Sequence, residues 1–147
     1  MKFFPTVASS VVAVSLGAVT GTAFAASPMA LAKAHIRDIA AADVPAITSQ
    51  YASGALFEWI GGPLNGRYVG AARIKGVWTR FAKANGKLGV AITHVDEASN
   101  PAGATVTADV VFSGKMHIPV RYVMTYRGGK LVDEIWQIDP KIAKAMS

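Results

Sequence analysis

Three consecutive runs decide the fold: ATVTADVVFS (residues 104–113), MHIPVRYVMTYR (116–127) and KLVDEIWQID (130–139). In the second, Met116, Ile118, Val120, Tyr122, Met124 and Tyr126 alternate with His117, Pro119, Arg121, Val123, Thr125 and Arg127. Period-two alternation with β-branched and aromatic enrichment predicts strands. Ser113-Gly114 and Gly128-Gly129 interrupt the runs, and short glycine-containing links predict hairpins. The result is an antiparallel meander with one face to bury. The rest of the chain must supply the cover.

Working back from the meander, Asn100–Gly103 is a turn and Leu88–Glu97 reads as a strand, with Leu88, Val90, Ile92 and His94 on one face. Ala71–Ala84 is a helix. Its Ile74, Val77, Trp78 and Phe81 form one apolar stripe, and Asn85-Gly86 stops it. Arg67–Gly70 is a short extended piece, Gly61–Gly66 a turn-rich loop, and Ala55–Ile60 a strand with Phe57 and Trp59 opposite Leu56 and Glu58. Ala52-Ser53-Gly54 reads as a break. Ser27-Pro28 is a helix start, giving helices over Pro28–Ala42 and, capped by Asp43, over Val44–Tyr51. Pro140 ends the last strand. The order predicts an α+β fold: three N-terminal helices packed on a highly curved, mostly antiparallel sheet, making a cone with an open end and a natural pocket.

The chain of 147 residues, 52% hydrophobic and 16% charged, suits one globular domain. Met1–Ala25 carries Lys2, an apolar run over Val7–Val19 and Ala23-Phe24-Ala25, the pattern of a cleaved secretory signal peptide. Cleavage leaves a domain over 26–147, in the periplasm or secreted, with no stable membrane insertion. The chain holds no cysteine, so its core must hold the fold without disulfides. The net charge of +6 gathers partly in Arg73, Lys75, Arg80, Lys83 and Lys87. These read as a solvated helix face rather than a nucleic-acid surface, because neither a phosphate loop nor an RNA-binding signature accompanies them.

No cysteine nucleophile and no Gly-x-Ser-x-Gly is present. His94, Asp109 and His117 sit at unrelated spacings, so neither a metal nor a cofactor is expected. Glu58, Asp109, Asp133 and Glu134 are the acids that could serve from the sheet. Trp59 and Trp136, like Tyr51, would line a pocket or fill the core.

The order of elements, Gly66–Gly70 ahead of the Ile74…Phe81 helix, and the ending Gly128–Trp136 resemble the nuclear-transport-factor-2-like superfamily, and within it the SnoaL-like group. The likeness runs from about Ala30 to Asp139. It implies a fold shared by ketosteroid isomerases, polyketide cyclases, dehydratases, epoxide hydrolases and proteins that only bind or dimerise, so it does not fix an activity. Against the isomerase pattern, Tyr51-Ala52 matches a Tyr-Ala and Glu58 a glutamate. Trp59 falls on the catalytic base, His35 on the oxyanion tyrosine and Arg121 on the acid of a Pro-x-Asp at Pro119-Val120-Arg121. The base is gone, which argues against that chemistry.

The resemblance brings His35, Tyr51, Trp59, Arg121 and Trp136 to a ligand pocket, with His35, Trp59 and Arg121 converging at the mouth on an anionic or carbonyl-bearing molecule. Strand alternation alone instead puts Arg121 on the other face, away from Val120 and Tyr122. The expectation is a pocket for a small apolar or anionic molecule. The alternatives are a cofactor-independent acid–base enzyme and a dimerisation module, and a homodimer through the sheet is expected.

Overall fold

The computed structural model describes residues 25–144. All but the last residue of the leader read in Met1–Ala25, and 145–147 of the tail, lie outside the described residues. The order is α1 (Pro28–Ala40), α2 (Val44–Ser49), β1 (Tyr51–Ile60), β2 (Gly66–Val69), α3 (Ala71–Asn85), β3 (Gly89–Asn100), β4 (Gly103–Ser113), β5 (His117–Arg127), β6 (Lys130–Ile138) and α4 (Pro140–Lys144).

The helix starts follow local chemistry. The Ser27 hydroxyl accepts from the Ala30 N–H, and the Asp43 carboxylate accepts from the Ala46 N–H. α1 stops two residues short of the expected Ala42, which takes a left-handed φ of 58° and turns the chain away. α2 also ends early, because Tyr51 is the first residue of β1 rather than the end of a helix. The expected break at 52–54 is an irregularity inside β1: its parallel register with β6 shifts between Tyr51 and Leu56. Ser53 and Gly54 weaken a strand without ending it.

A six-stranded sheet in the order β2-β1-β6-β5-β4-β3 results, antiparallel throughout except for β1 against β6. α1, α2 and α3 pack on its inner face, as the order of elements predicts. α1 and α2 give Ile36, Ile39 and Ile47 to the core. α3 gives its whole stripe: Ile74, Val77, Trp78 and Phe81. The meander contributes Val106, Ala108, Val110 and Phe112 from β4, and Val120, Tyr122, Met124 and Tyr126 from β5. Arg73, Lys75, Arg80 and Lys83 all face outward from α3.

β3 departs from the expected alternation. Its register against β4 shifts between Ile92 and His94, so Val95 and Glu97 turn inward while His94 is exposed. The shift has a use: Glu97 Oε2 accepts from the Met29 N–H at 2.8 Å, satisfying a free donor at the start of α1. On the outer face α4 lies against β5 and β4, and Ile142, Val111 and Pro119 are buried there. The chain thus covers Pro119 itself.

The β3–β4 turn sets a sharp stability test. Gly103 has a φ of 152°, and a Cβ there would come within 2.5 Å of the Tyr126 carbonyl oxygen. Gly103→Ala should cost about 1–3 kcal/mol in urea unfolding. Gly54→Ala, where a Cβ meets nothing within 4 Å, should change stability little. Equal effects would contradict the close approach.

Candidate functional site

Alternation on β1, β5 and β6 points Tyr51, Tyr122 and Glu134 into the same interior volume, and α1 and α3 bring His35 and Trp78 to meet them. Glu134 is the centre. Its Oε2 accepts from the Tyr51 O–H and its Oε1 from the Tyr122 O–H. Tyr51 in turn accepts from the Trp78 Nε1–H at 2.7 Å. His35 Nε2 lies 3.4 Å from the Tyr51 oxygen and 3.5 Å from Glu134 Oε1. The one Tyr51 proton is committed to Glu134, so a hydrogen bond from His35 requires its Nε2 to carry the hydrogen. Its Nδ1 then has no partner among the described residues.

This cluster is sealed: His35 and Glu134 are 0% and 1% exposed. Burial first, and the Glu134 carboxyl second, push both the Tyr51 and the Tyr122 hydroxyl well above the ordinary phenol range. Tyr126 is raised for the same two reasons, and its hydroxyl points at the Met124 sulfur.

Between this cluster and the open end stands an aromatic wall. Trp59 stacks on Trp136 with ring centroids 4.6 Å apart, and Trp136 stacks on Phe112 and meets Tyr122 edge-on. Phe81 and Trp78 close the same group from α3. Such ring pairs add about 0.5–1.5 kcal/mol each beyond their buried area. Trp136 is wholly buried and fills the core. Trp59 is buried in the same group and also lines a cleft at the mouth.

That cleft holds about 340 Å³. Gly61–Leu64 form one side, Phe81, Ala84 and Asn85 of α3 another, and Met116, Ile118, Pro119 and Ile138 a third, with Arg80 and His117 at the rim. Two further hollows of about 280 Å³ lie at the opposite end, around the β3–β4 turn, one of them bordered by Arg127 and Thr125 and the other by Glu97 and Tyr126. Neither has a tryptophan.

Arg121 does not join Trp59 and His35. It lies on the outer face of β5, half-exposed, 3.6 Å from Asp109 and 3.4 Å from Asp139. Strand alternation places it correctly, and the family register does not carry over. His35 and Tyr51 do come together, but behind the aromatic wall rather than at the mouth. Glu58 pairs outward with Arg67 at 3.2 Å. Among the described residues no group of three or more histidine, aspartate or glutamate side chains is placed to hold a metal.

A SnoaL-like domain model matches residues 32–134. The chain belongs to the SnoaL-like domain family. No curated protein matches it in sequence. Solved structures show the same fold at low identity. An NTF2-like protein of unknown function from Pseudomonas putida superposes with a TM-score of 0.63 at 16% identity, covering 73% of this chain and 80% of that one. A hypothetical protein with a ketosteroid isomerase-like fold from Catenulispora acidiphila, in complex with trimethylamine, gives 0.60 at 16%, covering 80% and 91%. A putative calcium/calmodulin-dependent protein kinase type II association domain from Thiobacillus denitrificans gives 0.61 at 15%, covering 76% and 94%. The NTF2-like cone and its helical cover are therefore shared.

At the centre of this SnoaL-like domain a carboxyl is clamped between two tyrosines. Because Tyr51 and Tyr122 keep their protons in the folded state beyond the pH at which an unfolded chain loses them, stability should be complete below about pH 10 and fall as pH rises above it. The slope should approach about 1.4 kcal/mol per pH unit for each such tyrosine. Urea unfolding between pH 8 and 11, read beside phenolate absorbance, checks this. Tyr51 and Tyr122 should ionise only as the protein unfolds, and ionisation in the folded protein near pH 10 would contradict a sealed cluster.

Proposed function

We propose that this is an exported SnoaL-like binding protein that holds a small, largely apolar molecule in the mouth cleft, against Trp59. The observation that carries the reading is the cleft itself: about 340 Å³, walled by Pro63, Leu64, Phe81, Ile118 and Ile138 over a tryptophan floor. That volume falls at the lower end for small-molecule sites, and the lining has their usual character, mostly apolar with a few polar groups at the edge. An acid–base enzyme needs an ionisable pair within reach of one ligand position. Glu134, the one fully buried acid among the described residues, has both oxygens engaged by tyrosines behind the wall. Among the described residues lining the cleft there is no carboxylate. Binding without turnover therefore fits better than catalysis.

The neutral fluorophore N-phenyl-1-naphthylamine tests the reading. Its emission should rise on binding the wild type, and Ala84→Phe, which puts a ring into the cleft from an exposed helix position, should weaken binding at least about tenfold with the fold intact. Absence of binding, or binding indifferent to Ala84→Phe, would sink it.

Export rests on the Lys2, Val7–Val19 and Ala23-Phe24-Ala25 pattern. The intact mass of the periplasmic protein should correspond to a chain beginning at Ala26, and a mass that includes Met1–Ala25 would refute it. A homodimer through the outer face of the sheet belongs to the same proposal. Val123 is half-buried there and Ile135 is 38% exposed, while Pro119 is already covered by α4. Light scattering at micromolar concentration should report a dimer, and a monomer would count against it.

A further inference from the structure

We propose that the molecule held in the mouth cleft carries a carboxylate, which Arg80 receives at the rim. This inference rests on the cleft being a small-molecule site, and goes on to name the chemical class.

The residues at the rim are unlike the walls. Arg80, Asn85 and His117 can all donate hydrogen bonds, and among the described lining residues none is an acid. Arg67 and Arg121 are engaged in ion pairs with carboxylates, whereas no such pair is seen for Arg80 among the described residues. Arg121 is flanked by two aspartates, so its charge is met within the protein. Among the described residues Arg80 meets a tyrosine: its Nη2 donates to the Tyr68 oxygen at 3.4 Å, and its Cζ lies 5.8 Å from the centre of that ring.

The same tyrosine fixes the rim. The Tyr68 O–H donates to the Leu64 carbonyl at 2.6 Å, and Leu64 is a wall of the cleft. Arg80, Tyr68 and Leu64 thus form one connected edge. It orients the guanidinium and leaves most of its five donors open. A planar fork held in this way suits two parallel hydrogen bonds to a carboxylate.

The surroundings carry the same sign. α3 bears Arg73, Lys75, Arg80 and Lys83 and no acid along its whole length. One cationic helix beside an apolar cleft attracts anions toward the mouth and repels cations. The apolar walls strengthen the attraction at close range, because they displace water that would otherwise screen it. A molecule with an apolar body on Trp59 and a carboxylate at Arg80 would satisfy the floor and the rim together.

The probes are 2-naphthoate and its neutral counterpart 2-naphthamide, which share a ring system and differ in charge. Titration calorimetry at pH 7 and low salt should give the naphthoate an affinity about tenfold higher in the wild type. Arg80→Gln, an exposed position outside the core, should bring the two affinities together, chiefly by weakening the naphthoate. Equal affinities in the wild type, or a naphthoate preference that survives Arg80→Gln, would overturn the inference and leave the cleft reading standing. If neither probe binds, both readings fall.

Discussion

One carboxyl group ties the layers of this fold together. Glu134 on β6 accepts from Tyr51 on β1 and from Tyr122 on β5, and Tyr51 is held in turn by Trp78 on α3, with His35 on α1 beside it. Four of these five residues are wholly or almost wholly hidden from solvent, and Tyr51 nearly so. A buried carboxyl without partners is expensive, and so are buried hydroxyls without an acceptor. Each member of the cluster therefore makes the others tolerable. Its members come from three strands and two helices, so the cluster links sheet and helical cover at one point.

The same clamp bears on where the proposed ligand would sit. Inside the cone Trp59, Trp136, Phe112, Trp78 and Phe81 pack as stacked, tilted and edge-on rings. In the polar cluster behind them both oxygens of Glu134 accept from tyrosines, and Glu134 and His35 are buried. The proposed recognition site is therefore at the mouth, where Trp59 lines a cleft with Arg80 and His117 at its rim. Holding a rigid aromatic floor in place is what the interior contributes to the site.

The sheet, its helical cover and the α3 stripe were legible in the sequence because each depends on local periodicity. The irregular stretches were not. Tyr51 stands beside a helical run and before Ser53-Gly54, so it reads as an ending, although long-range pairing with β6 makes it the start of a strand. The shift in β3 after Ile92 is likewise set by its partner β4. Arg121 shows two kinds of inference in conflict: alternation put it outside, family register put it in the pocket, and alternation holds. Glu134 had a usable signal, since it shares its face with Trp136 two residues on, but an acid on an inner face becomes meaningful only with its partners in view. Arg80 looked like one more solvated charge on α3. Its place at a cleft depends on the Gly61–Leu64 loop and the start of β5 arriving beside it, which no local pattern records.

The claim that the interior is sealed and the mouth is the site can be tested most directly through the three tryptophan side chains. Their indole N–H resonances can be followed in a nitrogen-15 spectrum, assigned by single Trp→Phe variants, as N-phenyl-1-naphthylamine is added. Trp59 lines the cleft, whereas Trp78 is wholly buried and donates to Tyr51. The account predicts that the Trp59 resonance moves with ligand, while that of Trp78 stays in place and exchanges with solvent only on unfolding. A Trp78 resonance that moves as far as that of Trp59 would place the ligand inside the cone and contradict it.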